Sequence, residues 1–135
     1  MQKSAELKLA VRDYECDLQG VVNNAVYQNY LEHARHEFLK GNGIHFAVLA
    51  SEGINLVVTR IELDYRASLV SGDEFVIQTR LEQVSRLRFA FHQTIIRTSD
   101  NTTMLDAVVT GSGVNASGKP FLPQSLLALM ADMSA

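Results

Sequence analysis

Asp17 is followed by fourteen residues, Leu18 to Leu31, among which there is no Asp, Glu, Lys or Arg. Gly20, Asn23 and Asn24 sit where this stretch would pass from a loop into a helix. A surface helix normally shows charge on one face, so an uncharged opening predicts burial on nearly all sides. A helix of that kind needs a sheet that curls around it.

The rest of the chain supplies one. Leu7, Leu9 and Val11 alternate with Lys8, Ala10 and Arg12, which predicts a short first strand. Asp13 to Gly20 reads as a loop. From Asn24 to Lys40 a helix fits, with Tyr27, Tyr30, Leu31, Ala34 and Phe38 at three- and four-residue spacing. Charge returns at Glu32, Arg35, Glu37 and Lys40, so that end is expected to reach water. Gly41-Asn42-Gly43 suits the cap that ends it, and His45 to Glu52 reads as a short second helix. After Gly53 the period switches to two. Val57 to Ala67, Phe75 to Leu81, Leu87 to Ile95 and Met104 to Asn115 read as strands, with turns at Ser71-Gly72-Asp73 and Ser99-Asp100-Asn101. Short connections favour antiparallel pairing. An apolar helix, Ser125 to Met133, ends the chain after Pro120 and Pro123. The order is one strand, one central helix, then four antiparallel strands: an α+β domain, taken as one unit over 1–135.

Composition excludes several function classes. The net charge is −3 with the signs interspersed, and no basic block suggests nucleic acid. Cys16 is the only cysteine, so neither an intrachain disulfide nor a multi-cysteine metal site is available, and a small buried hydrophobe is its expected role. The opening Met-Gln-Lys-Ser-Ala-Glu has no signal-peptide core and no run reaches the ~18 apolar residues of a membrane span. A cytoplasmic protein without a membrane partner is the plain expectation.

Several motifs come close to known chemistry and fail. His33 and His36 lie three apart where the helical zinc motif needs four, so no metal is expected. Gly113 to Lys119 nearly spells a phosphate loop, but Pro120 replaces the residue that would ligate magnesium. Gly111 to Ala116 resembles a dinucleotide fingerprint without its strand–turn–helix context. No Gly-x-Ser-x-Gly elbow occurs, and no cofactor is implied.

Asp17 remains. Asp-Leu-Gln-Gly suits a type I turn, so the carboxylate could serve only the turn. Yet unpaired amides at a helix N-terminus bind negative charge, and aimed at a carbonyl they form an oxyanion hole. A carboxylate beside such a hole can direct a water or attack an acyl carbon. Asn23 or Asn24 could instead merely cap the helix. Arg86 and Arg88 flank a strand turn, as edge charge or as a contact for the phosphates of a carrier.

The stretch Tyr14-Glu-Cys-Asp17-Leu-Gln-Gly20-Val-Val-Asn-Asn24-Ala-Val-Tyr27-Gln-Asn-Tyr30-Leu-Glu32-His-Ala-Arg35 resembles the signature of hotdog-fold thioesterases of the 4-hydroxybenzoyl-CoA thioesterase type. Its wording is especially similar to the plant acyl-carrier thioesterases, and Gly72-Asp73 falls at the family's Gly-Asp turn. The resemblance implies a long helix wrapped by a five-stranded antiparallel sheet, in dimers whose sheets join edge to edge, often paired again into tetramers. It implies acyl-CoA or acyl-carrier-protein substrates and active sites at the subunit interface. It assigns the catalytic carboxylate to Asp17 and the carbonyl-polarising amide to Asn24, with Gly20, Val21 and Val22 forming the turn between them. Tyr27 is counted with the substrate-contacting positions. Arg86 and Arg88 are retained as carrier contacts from their position, not from the resemblance. Bacterial members often carry Tyr-His where this chain has Asn23-Asn24, a change that leaves the backbone amide intact.

The expected reaction is hydrolysis of an acyl thioester to acid and thiol. A thiol leaves as thiolate with a pKa near ~8.5, so one carboxylate suffices where an amide hydrolase would need a general acid. Two rival readings stand beside it. A hotdog dehydratase would recruit His36 or His92, and a non-catalytic acyl-binding or scaffold protein would tolerate loss of Asp17.

Overall fold

The alternating segments become five strands: β1 (Ala5–Ala10), β2 (Asn55–Tyr65), β3 (Glu74–Ser85), β4 (Arg88–Arg97) and β5 (Thr102–Val114). They form one antiparallel sheet in the order β1-β3-β4-β5-β2, so β2 lies on an outer edge. Among the described residues three helices accompany them: α1 (Asn24–Gly41), α2 (Phe46–Ser51) and α3 (Gln124–Ser134). The structure, a computed structural model, describes residues 5–134. Residues 1–4, part of the opening in which no signal-peptide core was read, lie outside the described residues.

The central helix starts and stops where its sequence allows. Asn23, in extended conformation, caps α1 with its side-chain oxygen, which accepts the Ala25 N–H at 2.9 Å. At the other end Asn42 N–H donates to Leu39 C=O at 3.0 Å, and Gly43 takes a φ of 82° that other residues avoid. Tyr27, Tyr30, Leu31, Ala34 and Phe38 form the buried stripe. The first half of that stripe packs with Phe75, Ile77, Ile95 and Leu105. The second half packs with Phe89, Phe91 and the buried face of α3 (Leu126, Leu129, Met130).

Two expectations for α1 are overturned. Gln28 and Asn29 in the uncharged half are exposed, because α1 lies over β1 and β3 and leaves much of the inner face of β2 open. Val58, Ile61 and Tyr65 on that strand are 40–49% exposed, a high value for apolar residues on the inner side of a sheet. Conversely Arg35, expected to reach water, is buried (9% exposed). Smaller differences concern element ends. Val11 falls just beyond β1 and is tied by its N–H to Asp73 C=O at 2.9 Å, while a 3-10 turn, Asp13–Glu15, occupies the first part of the loop. Cys16 is half-buried against the core, close to the role expected of it.

The glycines of the near-miss nucleotide motifs have a packing reason. A Cβ on Gly111 would lie 2.6 Å from the Phe89 ring and 2.7 Å from Val57 C=O, and one on Gly113 would strike Phe121 C=O. Phe121 N–H donates to Gly113 C=O at 2.8 Å, so the segment leading to α3 is laid directly on β5.

Candidate active site

The Asp17 loop is closed by its own backbone. Asp17 N–H donates to Val21 C=O at 2.9 Å and Gly20 N–H to Asp17 C=O at 3.0 Å. Gly20 has a φ of 81°, which lets the chain reverse within four residues. Cys16 then pairs with Val22, and Val21 with Val70, so the loop is stitched to the segment just before β3. Val22 N–H donates to Leu69 C=O at 2.9 Å, and Asn23 N–H to Glu15 C=O at 3.0 Å. Gly20, Val21 and Val22 therefore form the turn that joins Asp17 to the start of α1.

Asp17 itself is exposed. Its Oδ1 accepts the Gln19 N–H at 2.8 Å, an Asx turn, while Oδ2 has no hydrogen-bond partner among the described residues. At the helix start Ala25 N–H is taken by the Asn23 side chain and Val26 N–H by Asn23 C=O at 2.9 Å. The Asn24 N–H has no acceptor among the described residues. A free carboxylate oxygen and a free helix-start amide thus belong to one short, closed loop.

Glu15 anchors that loop and was missed in the sequence. Its buried carboxylate accepts the Arg12 N–H at 2.8 Å and the Tyr30 hydroxyl at 2.8 Å through Oε1, with Arg12 Nη1 3.4 Å from Oε2. Burial, and then the bond to Glu15, push the Tyr30 phenol well above its ordinary range. The spacing of Arg12 and Glu15, a carboxylate three residues after an unpaired amide, is the legible signal. Tyr27 is also buried. Its oxygen accepts the Leu69 N–H at 3.0 Å, and burial raises its pKa.

The remaining candidates lie elsewhere. Arg86 and Arg88 are exposed at the β3–β4 turn, where Ser85 pairs with Arg88. The Asp17 loop adjoins the opposite end of β3, near Phe75, so roughly 33 Å of strand separates the two within one chain. His36 faces the inner side of the sheet and lies against Phe46, with ring centroids 4.5 Å apart. His92 is on the outer face with Nε2 2.6 Å from Glu82 Oε1. The two histidines are thus on opposite sides of the sheet, and neither is brought to Asp17.

Hollows of about 530 and 640 Å³ lie on the outer face of the sheet and between α3 and β3. Neither is lined by Asp17. A recess of about 250 Å³ runs between α1 and the inner face of β2, bounded by Gln28, Glu32, Arg35, Val58, Ile61 and Val109. It is continued by about 110 Å³ toward Leu39, Phe46 and Phe89. Among the described residues no group of three or more His, Cys, Asp or Glu side chains could hold a metal ion. None of the described helices is long and apolar enough to cross a membrane.

Comparison with known proteins agrees with this architecture. The chain is 40% identical over 107 residues to the chloroplastic acyl-acyl carrier protein thioesterase ATL3 of Arabidopsis thaliana, covering 79% of this chain and 56% of that protein. It therefore spans a little over half the length of that relative. It is 30% identical over 105 residues to the long-chain acyl-CoA thioesterase FadM of Escherichia coli, covering 78% of this chain and 79% of that one. A 1,4-dihydroxy-2-naphthoyl-CoA thioesterase from Synechocystis superposes with a TM-score of 0.91 over 98% of both chains at 18% identity, which establishes the shared fold. The model of the thioesterase-like superfamily matches residues 11–129, so the chain belongs to that superfamily and has its hotdog fold.

Proposed function

We propose that this protein hydrolyses acyl thioesters, with Asp17 supplying the carboxylate and the Asn24 amide receiving the oxyanion. The observation that carries the reading is the pairing of an unengaged Asp17 Oδ2 with an unclaimed Asn24 N–H on one closed loop. The helix dipole adds to the pull of that amide on a developing negative oxygen. Asp17 then either orients a water at the acyl carbon or attacks it directly, and the thiolate departs without help from an acid. The activities of the Arabidopsis and Escherichia coli relatives support acyl-carrier-protein or acyl-CoA thioesters as the substrate class.

The same reading includes a dimer formed through β2. Its outer edge is eleven residues long and unpaired among the described strands, and exposed edges of that length invite a further strand. Antiparallel pairing of β2 with its copy sets Tyr65 of one subunit beside Asn55 of the partner subunit. Tyr65 donates to Asn24 C=O at 3.4 Å, whereas Val57, near Asn55, shares Ser112 of β5 with Arg88. Arg86 and Arg88 of the partner subunit would then come to the Asp17 end of the joined sheet, where they could meet the phosphates of a carrier. A further pairing into tetramers is compatible with this arrangement.

The test is release of free thiol from a panel of acyl-CoA and acyl-carrier-protein thioesters, with the native protein and Asp17→Asn. Release by the native protein, reduced at least about 100-fold in the variant, is expected. No release from any substrate would overturn the reaction, and equal activity in the variant would overturn the role of Asp17. Sedimentation of the native protein as a monomer at working concentration would remove the subunit-interface part.

A further inference from the structure

The turn that carries Asp17 rests on residues 69–73, the segment leading into β3. Val22 N–H donates to Leu69 C=O at 2.9 Å, and Val21 pairs with Val70. Val21 C=O in turn accepts the Asp17 N–H at 2.9 Å, so Val70 reaches the backbone of Asp17 through Val21. Most of this support is pinned from outside. Leu69 is fully buried, and its N–H donates to the Tyr27 hydroxyl oxygen at 3.0 Å. Gly72 and Asp73 are tied to Val11, by Gly72 N–H to Val11 C=O at 3.1 Å and Val11 N–H to Asp73 C=O at 2.9 Å. Val70 lies between those pins and is 42% exposed, so packing does little to place it.

Asp73 supplies the missing hold. Its Oδ2 accepts the Val70 N–H at 2.9 Å, while its own N–H donates to Val70 C=O at 3.0 Å. The two bonds close a turn over residues 70–73 in which Gly72 takes a φ of 84°, at the place where a type II turn calls for glycine. An ion pair is a poor account of the same carboxylate. Arg97 Nη1 stands 3.8 Å from Oδ2, and that guanidinium already makes bonds of 2.6 and 3.0 Å to Asp100. We propose that Asp73 is a positioning residue for the hydrolysis. By fixing Val70 it sets where Val21, and through Val21 the Asp17 carboxylate, stands relative to the Asn24 amide. This rests on the role proposed above for Asp17. A misplacement of about 1 Å at a reacting group costs on the order of 100-fold in rate, so slack at Val70 is felt as lost turnover rather than lost binding.

Two variants separate the hydrogen bond from the charge. Asp73→Asn drops the charge and keeps an oxygen for the Val70 N–H, whereas Asp73→Glu keeps the charge and displaces it by one methylene. In Asp73→Asn the kcat for thiol release is expected to stay within about threefold of native. In Asp73→Glu it should fall about 10- to 100-fold, with KM within about twofold of native. Amide hydrogen exchange followed by NMR reads the same hold without turnover. The Asp17 and Val22 N–H groups should exchange about 10-fold faster in Asp73→Glu and at the native rate in Asp73→Asn, with the amides of β4 unchanged in both. Faster exchange across β4 as well would mark a general loss of stability and overturn the proposal. Equal impairment of the two variants, or native kcat in Asp73→Glu, would do the same. Should Asp73→Glu not fold, Gly72→Ala strains the same turn, meets nothing with its new Cβ, and is expected to change kcat and exchange in the same direction. If the native protein releases no thiol, the hydrolase reading is what fails, and the exchange rates still decide whether Asp73 holds the turn.

Discussion

The Tyr30 hydroxyl, on the second turn of α1, donates to Glu15 Oε1 at 2.8 Å, two residues before Asp17. The bond fastens the loop that carries the proposed catalytic carboxylate to the helix that carries the proposed oxyanion amide. Replacing Tyr30 by Phe removes the donor while keeping the ring against Phe75, 4.9 Å away. Glu15 is then left with a poorly satisfied buried charge, and stability is expected to fall by about 1–3 kcal/mol. Urea unfolding measures the loss, and thiol release should fall with it as the loop loosens.

The same phenol makes stability sensitive to alkali. Tyr30 and Tyr27 are both raised above the free tyrosine value, chiefly by burial. A raised group contributes stability that is fully present below its unfolded pKa, near ~10, and is lost as pH climbs toward its folded pKa. Denaturant midpoints should therefore be level up to about pH 10 and fall above it. Tyr30→Phe should start lower and fall less steeply, because one of the two titrating groups is gone.

Asn24→Pro isolates the backbone amide. Asn24 is the first helical residue, its N–H is unclaimed, and Asn23 before it is already extended at ψ 138°. Proline is tolerated at that position; it removes the N–H and replaces an exposed side chain that makes no hydrogen bond among the described residues. A loss in kcat of about 10²–10³ with an unchanged melting temperature is expected, the scale seen for removing one oxyanion donor. Retained kcat would show that this amide does not face the reacting carbonyl.

Gly113→Ala probes the close approach of β5 to the segment before α3. The new methyl group would meet Phe121 C=O, which is backbone and cannot swing away. Thermal denaturation should report a loss of about 1–3 kcal/mol, with the α3 attachment loosened first.

Much of this fold is written in local pattern. Alternation placed all five strands, and the three- and four-residue spacing of Tyr27, Tyr30, Leu31, Ala34 and Phe38 placed α1 and its buried stripe. The Asp17 turn was legible because Asp and Gly have specific backbone uses; that a helix start nearby has unpaired amides was legible too, but the choice of Asn24 among them came from the family resemblance. Parity also held a signal that went unread. Gln93 sits between Phe91 and Ile95 on the inward side of β4, and Thr79 between Ile77 and Leu81 on β3, and the two are paired in register.

What local pattern left open were relations between elements. Charge on Arg35 and its absence on Gln28 and Asn29 gave the wrong exposure for all three, because exposure depends on where α1 lies across the sheet. The helix lies over β1 and β3 and reaches β2 at its Tyr65 end, where Tyr27 packs on Tyr65, an offset set by packing far along the chain. Arg86 and Arg88, read as edge charge or as carrier contacts, lie the length of β3 away from Asp17 within one chain, a distance local pattern does not record. By itself the sequence determined the elements and the turn at Asp17, which follow from backbone chemistry within a few residues, while the amide of Asn24 was singled out by the family resemblance. Tertiary structure alone decided that Glu15 anchors the loop, that Arg35 is buried against Gln93, and that a recess opens beside β2. Each of these depends on side chains from distant segments meeting, and no short-range periodicity records such a meeting.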